Sequence, residues 1–504
     1  MIGKVFTASL NGCSSNLISV EVDIRSGLPS FNIVGLAATS IKESKERVKS
    51  ALINSGYKIP ISKITVNLSP ADIKKEGSLF DLPIALAILV ATNQLNGDFF
   101  KDYIVIGELS LFGDINKIRG ALPIILDGLD NNINNFIIPS LNKDECALVK
   151  KANIFPFSHL NEVVHYIHYK DLLPYKLTLK NNSLQESNID FAEISGQESC
   201  KRALEVAASG GHNIIMFGPP GCGKTMLAER IPTILPSLNY EEALEVTKIY
   251  SVAGKLDKNF LIKQRPFRSP HSTSSKIALV GGGSSLTPGE ISLAHNGVLF
   301  LDEILEFKKN VIEVLRQPLE DRCIKITRYN GNVTYPCNFM LVSSLNPCPC
   351  GMYGTSDCTC SEYEIKRYIN KLSKPILDRI DIFTFVAQLS FDEVKKFSKS
   401  ESSKTIKERV VKAREIQLER FSKDSIYTNS QMKRKQLKKY CDLTSSGSKI
   451  LRKIYTKFNL SARAYCRILK VSRTIADLNG NEKIKDEDII EALQYRKFID
   501  NKIL

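Results

Sequence analysis

Long apolar runs are missing from this chain of 504 residues. The longest, LPIALAILVA from Leu82 to Ala91, has about half the roughly 20 residues of a membrane-spanning helix, which excludes a helical span. The opening MIGKVFTASLNGCSSN lacks the basic-then-apolar order of a secretory leader, which points to the cytoplasm. No segment recurs at a fixed period, which removes solenoids and propellers. Cysteine is scarce, with 12 residues in the whole chain. Where thiols stay reduced, cysteines that cluster are expected to bind metal rather than pair as disulfides. Acidic residues are outnumbered, giving a formal charge of +15, and QMKRKQLKKY (Gln431 to Tyr440) carries five cations and no acid. That balance suits a polyanionic partner, and a solvated helix face would give the same run.

The length predicts about three domains, each with its own core. Hydrophobic periodicity stops in LTLKNNSLQESNID (Leu177 to Asp190), which reads as a linker. A second change near Leu389 leads into a charged helical region. The organisation expected is therefore a first domain over 1–176, a linker over 177–190, a core over 191–389 and a helical domain over 390–504. In the first domain KVFTASL and KITVNLS read as strands and TSIKESKERVKSALINSG as a helix with a glycine stop. The middle segment alternates strand and helix, as a parallel doubly wound α/β sheet does.

The most specific motif is GPPGCGKT: Gly218, Pro219, Pro220, Gly221, Cys222, Gly223, Lys224 and Thr225. It follows the apolar strand NIIMF and precedes the helical MLAERI, the context that a phosphate-binding loop requires. Its glycines let backbone N–H groups wrap phosphates, Lys224 is expected on the β- and γ-phosphates of ATP, and the Thr225 hydroxyl on Mg²⁺. About eighty residues on, GVLFLDE ends an apolar strand in two acids. There Asp302 is expected to hold Mg²⁺ and Glu303 to orient the attacking water, with an exposed acidic turn as the bland alternative.

RPFRSPHST (Arg265 to Thr273), PGEISLAHNGVLFLDE (Pro288 to Glu303), LRQPLED, NPCPCG, LDRIDI and ARAYCRILKVSRTIADL together resemble the magnesium chelatase-like AAA+ proteins of the ComM/YifB group. The resemblance covers nearly the whole chain. It implies a multidomain α/β protein with an AAA+ P-loop core and a C-terminal helical lid. It also implies a hexameric ring with ATP between subunits, and a helicase that drives branch migration of recombining DNA in natural transformation, with a recombinase as a possible partner. By the same resemblance Asn346 is the sensor-1 residue, Arg379 the arginine finger offered to a neighbour, and Arg463 the sensor-2 arginine. Arg467, one turn on, is the competing choice. The ordinary alternative for Arg379 is a salt bridge to Asp378 or Asp381. Where the family has two successive histidines, this chain has His271 followed by Ser272.

CIKITRYNGNVTYPC (Cys323 to Cys337) reads as a hairpin around Asn-Gly. Similar ring ATPases project a hairpin here toward the pore, so Lys325, Arg328 and Tyr329 are candidates for DNA contact, against a purely structural hairpin. The glycine-rich SSKIALVGGGSSLTPGE (Ser274 to Glu290) is expected to be a mobile loop. Cys348, Cys350, Cys358 and Cys360 form C-x-C-x₇-C-x-C, a spacing able to close a tetrahedral zinc site; small buried thiols are the other reading.

KKEGSLFDLPIALAIL and GELSLFGDINKIRGALP look like the proteolytic domain of Lon-type proteases, an α+β fold related to ribosomal protein S5. The nucleophile and lysine positions hold Leu79 and Leu122, so the fold is expected to be kept and the protease lost. Ser78 would serve only with the register slipped by one. A third possibility is a magnesium chelatase motor subunit or another protein-remodelling ATPase without DNA activity.

Overall fold

A computed structural model of the protein describes residues 2–177, 189–256, 261–283, 286–328, 331–353, 358–389, 400–457 and 459–496. The first sheet begins with the hairpin of β1 (Ile2–Asn11) and β2 (Ser14–Arg25), which pair antiparallel from Ile2↔Asp23 to Asn11↔Ser14. Five further strands complete it: β3 (Ser30–Val34), β4 (Lys63–Ser69), β5 (Tyr103–Val105), β6 (Asn135–Pro139) and β7 (Asn153–Phe157). Their order is β3-β4-β2-β1-β5-β6-β7. Helices α1 (Thr39–Asn54), α2 (Asp81–Ala91) and α3 (Ala121–Asp130) pack against this sheet. Every residue of α2 is buried, so the longest apolar run is a core helix, apolar on all sides because all sides are covered. Among the described residues no helix is long and apolar enough to cross a membrane.

The second sheet is built from β8 (Ile214–Phe217), β9 (Phe267–Arg268), β10 (Val298–Leu301), β13 (Met340–Leu345) and β14 (Ile382–Phe385), with a hairpin of β11 (Cys323–Arg328) and β12 (Gly331–Pro336) between β10 and β13. Its order is β9-β10-β13-β8-β14 and every pairing is parallel. Helices α4 (Glu198–Gly210), α5 (Lys224–Ile234) and α6 (Tyr240–Ala253) precede or follow its strands. Strands buried on both faces read as unbroken apolar runs rather than alternating ones, as IIMF and VLFL do.

Helix α7 (Glu362–Ile369) precedes β14, and beyond that strand the described C-terminal region is helical, with α8 (Ser403–Arg420), α9 (Ala462–Leu478) and α10 (Asp486–Gln494) among its helices. Ile406, Val410, Ile468 and Ile475 share one buried cluster with Leu204, Ile214 and Val342, so these helices close one face of the parallel sheet. The first domain docks on α6: Gly120 N–H donates to the Ser251 carbonyl at 3.1 Å, and the Tyr240 hydroxyl donates to the Leu148 carbonyl at 2.6 Å. Most of the expected linker, 178–188, and residues 390–399 after the second boundary lie outside the described residues.

The glycine-rich stretch differs from its expectation. Lys276–Val280 is a short helix, and Gly281 and Gly282 pair with Pro288 and Thr287. Buried Leu279 and a hydrogen bond from the Tyr335 hydroxyl to the Leu286 carbonyl, 2.6 Å, fasten it to the hairpin. Composition registers the glycines but not these anchors.

Candidate nucleotide site

Strand β8 delivers the chain into GPPGCGKT, and α5 starts within that motif, at Lys224. Gly221 and Gly223 have φ of +75° and +90°, which side chains rarely adopt; the turn that aims N–H groups at a phosphate depends on them. Lys224 is buried, and its ammonium donates to the carbonyls of Gly218 and Pro219, both at 2.8 Å, and to Asn346 Oδ1 at 3.1 Å. Cys222 Sγ lies 3.8 Å from the same ammonium.

The acids converge on that loop from β10. Thr225 Oγ1 donates to Asp302 Oδ2 at 3.2 Å, while Asp302 Oδ1 accepts from Ser344 Oγ at 2.5 Å. Ser344 Oγ in turn accepts from the Glu303 N–H at 2.8 Å. Asn346, one residue beyond β13, donates through Nδ2 to Glu303 Oε1 at 3.3 Å. A hydroxyl beside a carboxylate is a hard-oxygen pair of the kind Mg²⁺ takes, and a lysine without a carboxylate partner among the described residues can exchange its carbonyl and amide contacts for charged phosphate. The residues therefore fit a magnesium nucleotide. Sequence reasoning missed Ser344; the signal was two serines inside the otherwise apolar strand MLVSSL.

Arg379 is elsewhere. It precedes β14, and β14 runs parallel to β8 with Ile382 opposite Ile214 and Phe385 opposite Phe217. The P-loop leaves the far end of β8, so loop and arginine sit at opposite ends of one sheet, separated by about 13 Å of strand. Arg379 is buried, donates to the Pro375 carbonyl at 2.5 Å and is ion-paired with Glu320, not with Asp378 or Asp381. Its Nε has no partner among the described residues.

Arg463 and Arg467 lie at this same end. Arg463 pairs with Asp378 at 3.2 Å and is largely exposed, whereas Arg467 is bonded to buried Asp381. Burial opposes ionisation of Asp381, but Arg467 and His212, whose Nδ1 is 3.2 Å away, hold its carboxyl far below the usual range. Arg467 is thus tied into a buried network, whereas Arg463 is held by a pair at the surface. Both arginines and Arg379 line a cleft of about 1020 Å³ together with Glu242, Arg265 and Glu320.

In the hairpin Arg328 pairs with Gly331; Tyr329 and Asn330 lie outside the described residues. Ile324, Ile326, Val333 and Tyr335 are buried, while Lys325, between the two isoleucines, and Arg328, at the end of β11, are exposed. The turn of the first-domain hairpin, at Gly12, packs against Val333 and Tyr335. His271 turns back on Thr273 Oγ1 at 2.9 Å.

The four clustered cysteines converge. Cys348 Sγ is 3.4 Å from Cys350 Sγ and 3.9 Å from Cys358 Sγ, Cys350 is 3.7 Å from Cys358, and all four sulfurs lie within 4.8 Å of one another. A tetrahedral zinc with bonds of about 2.3 Å needs sulfurs about 3.8 Å apart. The set fits that metal and is too wide for disulfides. In the first domain Leu79 and Leu122 are both core residues, and Ser78 donates to the Glu108 carboxylate.

Comparison with known proteins matches this geometry to a family. Residues 190–394 match the family model described as magnesium chelatase, subunit ChlI; residues 20–142 match that of subunit ChlI of Mg-chelatase, and 400–496 that of its C-terminal part. The chain is 41% identical over 500 residues to the competence protein ComM of Haemophilus influenzae, covering 98% of this chain and 97% of that one. It is also 41% identical over 498 residues to the uncharacterized protein YifB of Escherichia coli, covering 98% and 96%. The chain belongs to the ComM/YifB family. Membership in the ComM/YifB family brings a magnesium chelatase-like AAA+ core, and with it ATP and Mg²⁺. True chelatase subunits are far more distant from this ComM/YifB member: the magnesium-chelatase 38 kDa subunit of Cereibacter sphaeroides is 23% identical over 174 residues, 31% of this chain and 52% of that one.

Proposed function

We propose that the protein is a cytoplasmic ATP-driven DNA motor, a hexameric ring that promotes branch migration of recombining DNA during natural transformation, working beside a recombinase. The observation that carries this reading is the placement of Arg379 and the P-loop at opposite ends of one parallel sheet. An arginine that cannot reach its own nucleotide could serve that of the next subunit by exchanging its Glu320 partner for phosphate, and a ring supplies that neighbour. The name competence protein ComM, borne by the relative from H. influenzae, favours the transformation role.

In this reading Lys224 leaves the Gly218 and Pro219 carbonyls for the phosphates of ATP. Thr225 and Asp302 hold Mg²⁺, which when bound neutralises charge on the phosphate oxygens. Glu303, oriented by Asn346, aligns the attacking water. Arg379 of the preceding subunit, with Arg463 at the same face, stabilises the charge of the transition state. Lys325, Arg328 and Tyr329 meet the DNA backbone. Domains follow the division 1–176, 191–389 and 390–504, the first a Lon-like fold without protease activity, and Cys348, Cys350, Cys358 and Cys360 hold a structural zinc ion.

The test is a labelled four-way DNA junction incubated with protein, ATP and Mg²⁺, with Lys224→Ala and Arg379→Ala alongside. Product strands are expected from the wild type alone. ATP hydrolysis by a wild type that neither binds nor remodels any DNA would sink the motor reading and favour a chelatase-like or protein-remodelling ATPase.

A further inference from the structure

The four-thiol cluster is placed to do more than close a loop. Its first pair follows Asn346 within four residues, and Asn346 is bonded to both Lys224 and Glu303. Between the pairs, Gly351 lies directly on the P-loop. A Cβ added there would sit 2.6 Å from Pro220 Cδ, and φ is +82°. Cys348 is fully buried, so this end of the cluster is part of the core of the parallel sheet.

The second pair reaches a different element. Cys360 is followed by Ser361, which caps α7 by accepting from the Glu364 N–H at 3.3 Å, while Glu364 Oε2 accepts from the Ser361 N–H at 2.9 Å. Helix α7 is anchored on the turn after Asp302 and Glu303. The Tyr368 hydroxyl donates to Glu306 Oε1 at 3.3 Å, and Lys371 Nζ donates to the Leu305 carbonyl at 3.0 Å. One ion bound by the four sulfurs would therefore join three parts of the nucleotide site that have no other covalent short cut: the end of β13, the P-loop and the segment after the acids.

We infer that the four thiolates form a zinc clip that holds Pro220 of the P-loop and Asn346 in register, so that loss of the metal weakens nucleotide binding at a site the metal does not touch. The large apolar side chains beside Gly351, Met352 and Tyr353, are exposed, so they do not pack it down onto Pro220. Four bonds to one ion hold it by themselves. The nucleotide half of the inference rests on the P-loop reading above, and the metal half does not.

The experiment uses the full chain. Elemental analysis of protein purified without added metal is expected to give about one zinc per chain, reduced to background in the double variant Cys358→Ser/Cys360→Ser. Wild type dialysed against a zinc chelator is expected to bind a fluorescent ATP analogue about tenfold more weakly and to recover when zinc is returned, which separates metal loss from misfolding. Gly351→Val is expected to keep its zinc and still bind the analogue more weakly; Lys224→Ala is expected to keep its zinc and lose the analogue. Iron or no metal in the wild type overturns the clip, and unchanged affinity after zinc removal overturns its hold on the P-loop. A zinc-loaded wild type with no nucleotide affinity would instead count against the proposed function, with the metal site standing.

Discussion

Asn346 Oδ1 accepts a hydrogen bond from Lys224 Nζ at 3.1 Å, and the same amide donates to Glu303, so one side chain bridges the P-loop lysine and the acid proposed to orient water. Asn346→Ala is expected to lower the rate of ATP hydrolysis about 10²-fold while leaving nucleotide affinity within a few-fold of wild type, because the lost contact matters most as charge develops. Phosphate release and equilibrium titration with a fluorescent nucleotide separate the two. Ser344→Ala, which frees Asp302 Oδ1 and the Glu303 N–H, is expected to act in the same direction.

Lys224→Ala and Arg379→Ala should each be inactive alone and active together. The first retains an intact arginine and the second an intact P-loop, so random mixing restores roughly a quarter of the subunit junctions. ATP hydrolysis by equal mixtures measures this. No recovery at any ratio would mean that both groups serve the same chain.

Lys325→Ala and Arg328→Ala are expected to weaken DNA binding and to make its salt dependence shallower by about one unit of slope each, if each meets one phosphate. Both side chains are exposed and their neighbours Ile324 and Ile326 carry the packing, so thermal stability should not move. Fluorescence anisotropy at several salt concentrations reads the slope.

Acid should destabilise the fold through His212 before it reaches the carboxylates. His212 is fully buried, and burial holds its imidazole below the usual 6.5 in spite of Asp381 beside it. The unfolded chain then takes up the proton first. The stabilisation is complete above about pH 7 and falls as pH drops below about 6.5 toward the lowered folded value, at no more than ~1.4 kcal/mol per pH unit. Asp381, whose pKa is depressed, adds its own loss only at much lower pH. Melting temperatures from about pH 8 to about pH 5 are expected to fall, and His212→Gln to flatten the curve.

What the sequence made legible was local. The strand before GPPGCGKT, the helix after it and the acids ending VLFL are short-range patterns, and each lies where its spacing predicts. Pairing across the fold was not legible. Nothing in LRQPLED indicates that Glu320 will clasp Arg379, 59 residues on, and nothing near His212 points to Asp381 or Thr474. Such contacts follow from strand order, and parallel strands bring together residues whose separation in sequence carries no periodic signal. The glycine-rich stretch misled for a related reason, since its anchors lie in the hairpin and not in itself. Arg463 and Arg467 were separable only by their partners, one exposed on Asp378 and the other held by buried Asp381.

The polarity of the parallel sheet has an arithmetical consequence for assembly. With the P-loop at one end of β8 and Arg379 at the other, each head-to-tail contact between copies, as in the proposed ring, would complete one site. An open string of copies leaves one loop without an arginine and one arginine without a loop, however long it grows. Closing the string into the proposed ring removes both loose ends at once, so the last protomer to join would add two working sites where every earlier one after the first added a single site.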